Sequence, residues 1–307
     1  MRSWWLKFTK KMTTPNKRRQ VSQFLTQTDR VMLLTHVSPD VDGISSLLAL
    51  GRGLETFGKK VIRLLPADLP RRFFFWADLE KVVSEPTWEE IDAVVTLDCG
   101  DLPRTGFPRE LSRLDKPIVN IDHHPQKKPF GTMVLVEDDK TSTAEIVFHL
   151  LNELGVTIDK TLADMLLAGI VCDTQSFQVA STSAEVLNIA SQLMRRGARI
   201  PRITREIFRV KPLTALKLWG RVLDRVQVDE ETKMAYSVVK QSDLRELGVE
   251  AQDLEGIVDL INAVTEAKFS LLLTDTGDNI VKGSLRSESF KAVDVSRIAE
   301  LFGGGGH

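Results

Sequence analysis

Cysteine is nearly absent: Cys99 and Cys172 are the only two in 307 residues, and they form no C-x-x-C pair. That excludes a disulfide framework and a thiolate zinc ribbon, and it fits a reducing compartment. No apolar run approaches the roughly 18 residues of a membrane span. The start, Met1 to Lys11, mixes Trp4 and Trp5 with lysines and lacks the continuous apolar stretch of a secretory signal. The expected location is therefore the cytoplasm, away from membranes. An excess of one charge is also missing, since 41 Lys and Arg oppose 42 Asp and Glu. A net charge of −1 gives no bulk attraction for nucleic acid, so any phosphate recognition must be local. What remains, 42% hydrophobic and 27% charged residues, is the profile of a globular chain with one large domain or two ordinary ones.

Residues 1–20 read as a basic extension with no sustained periodicity, a solvated tail in which Met12 is an alternative start. From about residue 20 short apolar runs alternate with helical segments. Strands are expected at Val31–Thr35, Val61–Leu65, Ala93–Asp98 and Ile118–Asp122, with helices at Ile44–Phe57, Thr143–Leu154 and Leu162–Val171. The alternation predicts an α/β domain over 21–190, a parallel sheet with helices on both faces. Between Arg195 and Arg225 ten lysines and arginines stand against Glu206 and Asp224. This marks a basic helical connector over 191–228, either a solvated face or a basic wall beside a phosphate site. Strands at Met234–Val239, Phe269–Thr274 and Ile280–Leu285, with helices at Leu254–Val264 and Val293–Phe302, predict a smaller mixed α/β domain over 229–307. The chain ends in Gly303-Gly304-Gly305-Gly306-His307.

Four segments place acids and imidazoles at the ends of these elements: His36 with Asp40 and Asp42, then Asp98, then Asp122-His123-His124, then Asp173. In open parallel sheets, ligands bind outside the carboxyl ends of the strands. Helix capping explains Asp40 or Asp42 taken alone, but neither His36 nor the three loops that follow. Carboxylate and imidazole donors together suit manganese, and magnesium less well. His149 stands apart in a helix and reads as a core or surface histidine. Arg71-Arg72-Phe73-Phe74-Phe75-Trp76 could stack bases, though a buried turn is the commoner use of such aromatics.

The set resembles the DHH phosphoesterase superfamily, and the tail resembles its DHH-associated C-terminal domain, with a cleft between the two. Within it the chain looks most like the NrnA-type nanoRNase and pAp-phosphatase group. Thr141-Ser142-Thr143-Ala144-Glu145 and Gly283-Ser284-Leu285-Arg286-Ser287 also fit that group. The resemblance implies two divalent cations, manganese favoured and magnesium the alternative. His36, Asp40 and Asp98 would hold one cation, and Asp42, Asp98, His123 and Asp173 the other. It implies that His124 faces the substrate phosphate, supported by Asp122, so that Asp98, Asp122, His123 and His124 form the catalytic set. Arg286, Ser287, Gly304, Gly305, Gly306 and His307 would bind the substrate's far end. In the family the glycine run continues into a helix and a last strand, so the second domain is expected to be truncated.

The implied substrates are short RNA or DNA oligonucleotides and the 3′ phosphate of pAp. A cyclic-dinucleotide phosphodiesterase shares every ligand and is the alternative. An inorganic pyrophosphatase or a non-catalytic nucleotide sensor fits less well, because Arg286-Ser287 and the terminal glycines disfavour the first and no ligand position is substituted as the second would require. A homodimer is left open.

Overall fold

In a computed structural model of the chain, residues 14–65, 77–126, 128–209, 212–254, 256–277, 279–288, 291 and 293–304 are described. Runs of Val, Ile and Leu form six parallel strands: β1 (Arg30–Leu34), β2 (Lys60–Leu64), β3 (Val82–Val83), β4 (Ala93–Leu97), β5 (Ile118–Asp122) and β6 (Met133–Val136). Every residue of β4 and β5 is buried, as is β1 after Arg30. Strands buried on both faces require a layer on each side of the sheet. Successive residues of β1 divide accordingly: Val31 and Leu33 join one apolar cluster, Met32 and Leu34 another.

The first cluster lies under α1 (Thr14–Gln27), α2 (Val41–Glu55), α4 (Thr143–Glu153) and α5 (Lys160–Asp173). The second gathers Leu111 of α3 (Pro108–Arg113) with Trp88 and Phe107. Two further helices, α6 (Ala184–Arg195) and α7 (Ile200–Thr204), pack on α5. The strand order is β3-β2-β1-β4-β5-β6. From β1 the chain winds outward to β3, then returns to lay β4 on the other side of β1. That reversal opens a crevice at the carboxyl ends of β1 and β4.

The chain divides into two compact units, Met1–Ile207 and Phe208–His307. The second holds a four-stranded sheet, β7 (Gln227–Asp229), β8 (Met234–Val239), β9 (Phe269–Gly277) and β10 (Ile280–Arg286), in the order β10-β9-β8-β7. Only β8 and β9 run parallel. The helices are α8 (Leu213–Asp224), α9 (Gln241–Leu247), α10 (Ile257–Asn262) and α11 (Val295–Leu301). Leu218 and Val222 of α8 pack with Val239, Ile257, Ile261 and Leu272. Asp243, at the start of α9, is buried and accepts hydrogen bonds from Arg225 Nη2 (2.9 Å) and Arg221 Nη1 (3.3 Å), which ties α9 to α8.

Two differences from the sequence reading have identifiable causes. The stretch taken as an extension becomes helical at Thr14, within α1. Arg18 explains why it folds back, because its guanidinium makes a two-pronged pair with the buried Glu137 carboxylate. The helix expected over Leu254–Val264 is a 3-10 turn, Ala251–Leu254, followed by α10. Gly256 interrupts it with a left-handed backbone at φ 89°. Of the region expected as a connector, the end of α6 and all of α7 fall in the first unit, and α8 in the second. Among the described residues, no helix is long and apolar enough to cross a membrane.

Candidate metal centre

Because β1 and β4 are neighbours, the loops at their ends meet. His36 follows β1, and its Nε2 lies 3.5 Å from Oδ2 of Asp98, the residue after β4. Asp40 caps α2, accepting from Gly43 N at 3.0 Å, and its Oδ2 stands 4.0 Å from His36 Nε2. On the next strand Asp122 is the last residue of β5, so His123 and His124 emerge beside Asp98. His123 Nε2 is 3.8 Å from Asp98 Oδ1 and 3.2 Å from Oδ2 of Asp173, the last residue of α5. Three sets have ligand atoms within 4.8 Å of one another: His36, Asp40 and Asp98; Asp98, His123 and His124; Asp42, His123 and Asp173. Asp98 belongs to two of them. Its backbone is left-handed, φ 59°, which costs a non-glycine residue about 1–2 kcal/mol. Strain of this kind is retained where the position of a side chain matters.

The carboxylates are held from behind. Thr143 N and Ala144 N, at the start of α4, donate to the two oxygens of Asp42 at 2.7 and 2.9 Å. Thr143 Oγ1 donates to Asp98 Oδ1 at 3.2 Å. Asp122 Oδ1 lies 2.9 Å from His124 Nδ1, and its Oδ2 accepts from Gln126 Nε2 at 2.9 Å. Arg104 Nη2 stands 3.3 Å from His36 Nδ1. Space is made by glycine: a Cβ at Gly43 would stand 2.4 Å from Thr35 Oγ1, and one at Gly169 would stand 2.5 Å from Asp42 Oδ1.

The electrostatics state what such a cluster requires. Burial pushes the Asp42 carboxyl well above the ordinary range, and the charges of Asp173 and Asp98 add to the effect. Burial does the same to Asp173, reinforced by Asp40 and Asp98. Asp98 goes the other way: burial opposes its ionisation, yet contacts with His124 and His36 hold it well below its usual value. Burial likewise works against a charged His124, but hydrogen bonds to Asp122 and Asp98 raise its pKa to about 11. One imidazolium cannot balance so many carboxylates, and bound cations would reverse the upward shifts. His36 Nε2, buried and without a hydrogen bond, is aimed at the same carboxylates. The donor set therefore fits divalent cations.

Residues 30–170 match the family model described as the DHH family, N-terminal domain, and residues 231–307 match the DHHA1 domain. The bifunctional oligoribonuclease and PAP phosphatase NrnA of Thermus thermophilus is 32% identical over 281 residues, covering 90% of this chain and 81% of the relative. The chain belongs to the DHH family. The DHH relative of the same name from Bacillus subtilis is 26% identical over 283 residues, with 91% of this chain and 87% of that protein covered. An exopolyphosphatase-related protein from Bacteroides fragilis superposes with a TM-score of 0.86 over 97% of this chain and 90% of its own, at 24% identity, so the DHH fold is shared.

The first unit of this DHH chain thus brings together His36, Asp40, Asp42, Asp98, Asp122, His123, His124 and Asp173. The other expected residues stand in the second unit. Arg286 ends β10, exposed, with Nε donating to Asp259 Oδ1 at 3.1 Å. Ser287 Oγ donates to Lys268 O at 3.3 Å, and Gly304 N to Ala299 O at 2.9 Å. Gly305, Gly306 and His307 lie outside the described residues, as do Arg71 to Trp76. Sequence reasoning missed Arg104 and Gln126; both follow strand ends, which is the one signal that could have nominated them. A further acidic group, Glu145, His149 and Glu185, already holds a cation, since Lys140 Nζ is 2.8 Å from Glu185 Oε2 and 3.7 Å from Glu145 Oε1.

Proposed function

We propose that this DHH protein is a two-metal phosphoesterase of the cytoplasm that hydrolyses short oligonucleotides and removes the 3′ phosphate of pAp. The observation that carries the reading is Asp98, buried at the junction of β1 and β4, which groups with His36 and Asp40 on one side and on the other stands 3.8 Å from Nε2 of His123, a member of the Asp42, His123 and Asp173 group. Similarity to NrnA at 32% identity over most of both chains supports the substrate class. His36, Asp40 and Asp98 would hold one cation, and Asp42, Asp98, His123 and Asp173 the other. Manganese is favoured over magnesium, because imidazole ligands prefer later transition metals. When bound, two such cations offset the charge of the phosphoester and acidify water.

The chain's own residues supply orientation and charge. Asp122 Oδ1 accepts from the backbone N–H of His124 and lies 2.9 Å from its ring Nδ1, which fixes the ring plane. Held this way, His124 would donate to a phosphoryl oxygen or protonate the leaving oxygen. Arg286, Ser287 and the residues from Gly304 to His307 would take the substrate's far phosphate or base, the guanidinium pairing with it bidentately.

The test is a substrate panel of pAp, pApA, pGpG, cyclic di-AMP, long RNA, single-stranded DNA and pyrophosphate, each with manganese and with magnesium. Chelation should abolish turnover, and added manganese should restore it. Preference for cyclic di-AMP, pyrophosphate or long RNA over pApA and pAp would refute the proposed substrate class. Equal rates at saturation with the two metals would refute the manganese preference.

A further inference from the structure

One residue outside the ligand set touches both halves of it. Thr143 is the first residue of α4 and fully buried. Its backbone N donates to Asp42 at 2.7 Å, and its side-chain Oγ1 donates to Asp98 at 3.2 Å. The turn that presents it is itself pinned. Ser142 Oγ accepts from Glu145 N at 3.1 Å, and the buried Glu145 Oε2 accepts from Thr141 N at 2.9 Å and Thr141 Oγ1 at 2.8 Å. Asp98 needs such a hold. Its backbone sits in the left-handed region, and a carboxylate shared between two ligand sets must present each oxygen in a fixed direction.

We propose that Thr143 is a positioning residue of the metal centre. Its hydroxyl fixes the Asp98 carboxylate, while the first amides of α4 fix Asp42. The proposal rests on the metal-centre reading above and says nothing about substrate. Hydrogen bonds from behind a metal ligand typically change metal affinity by about 10–100-fold.

The two contacts can be separated, because one is backbone and the other side chain. Thr143→Val keeps the shape and the N–H to Asp42 but removes the donor to Asp98. Thr143→Ala removes the same donor together with the methyl, and Thr143→Ser restores the donor without the methyl. The measurement is manganese binding by calorimetric titration of the full chain, with the melting temperature recorded in chelator. Thr143→Val and Thr143→Ala should bind manganese about 10–100-fold more weakly, and Thr143→Ser within about three-fold of wild type. Melting in chelator should stay close to wild type for all three. Unchanged affinity in Thr143→Val and Thr143→Ala overturns the proposal, as does a Thr143→Ser variant as weak as Thr143→Val. A wild type that binds manganese but cleaves neither pApA nor pAp would overturn the proposed substrates and leave this inference standing.

Discussion

Gly169→Ala sets two effects of opposite sign against each other at the site where α2, α4 and α5 meet. In an ordinary helix interior, replacing Gly with Ala stabilises by about 0.8–1.0 kcal/mol. Gly169 is not in an ordinary place. A Cβ there would stand 2.4 Å from Ser45 Oγ, 2.5 Å from Asp42 Oδ1 and 2.6 Å from Ala144 Cβ. Ser45 and Asp42 are buried in α2, and Ala144 is buried in α4, so none can swing into solvent. Either a helix moves or Asp42 turns away from the amides of Thr143 and Ala144. Overpacking of a buried site costs about 1–3 kcal/mol, and these contacts belong at the upper end. Subtracting the helix gain leaves a net loss of about 1–2 kcal/mol. Gly220 is the matched control: it lies in α8, and an added Cβ there meets nothing within 4 Å. Gly220→Ala should therefore stabilise by about 0.8–1.0 kcal/mol. Urea unfolding in chelator measures both, and elemental analysis of manganese-loaded protein reads the consequence at Asp42. Gly169→Ala as stable as wild type, with full metal content, would refute the three-helix junction.

Asp98→Asn should abolish phosphoesterase turnover and lower bound manganese at both positions while leaving circular dichroism unchanged; activity within a few-fold of wild type would count against a shared carboxylate. In the second unit, hydrogen bonds from Arg225 hold the Asp243 carboxyl well below its ordinary range even though burial opposes its ionisation. An acid depressed in the folded state contributes stability above its unfolded pKa, near 3.9, and that contribution is lost as pH falls toward its folded value. Asp243→Asn should cost about 1–3 kcal/mol at pH 7 and flatten the acid limb of the stability profile; a limb as steep as in wild type would refute the assignment. Arg286→Ala should weaken pAp binding by about 1.5–3 kcal/mol while sparing a small chromogenic ester; equal loss on both substrates would show that Arg286 does not grip the far phosphate.

The central strands were legible because β1, β4 and β5 are buried on both faces and so read as continuous apolar runs. The edges were not. β3 is two residues long, and β6 alternates buried with half-buried positions over only four residues. The start of α1 was hidden because its first turns are basic and gain their partner, Glu137, from far along the chain. The same distinction governs the site. Acids and histidines directly after apolar strands announce themselves, so His36, Asp98 and Asp122 to His124 could be named from sequence. Thr143 could be named only as part of the Thr141 to Glu145 segment that resembles the family; its role lies in contacts to Asp42 and Asp98, well back in the sequence, which that segment does not reveal.

The proposed ligands are spread along the chain, which bears on biogenesis. They run from His36 to Asp173, so the set is complete only after α5 has formed and packed. A nascent or clipped first unit lacking α5 would keep His36, Asp40 and Asp98 but lose Asp173. Tight cation binding would then act as a checkpoint that only a finished first unit passes. By mass action, a cation at a hundred times its Kd adds about 2.7 kcal/mol to the folded state. Metal starvation would therefore lower the amount of folded enzyme as well as its rate, with proteolysis removing chains whose centre stayed empty.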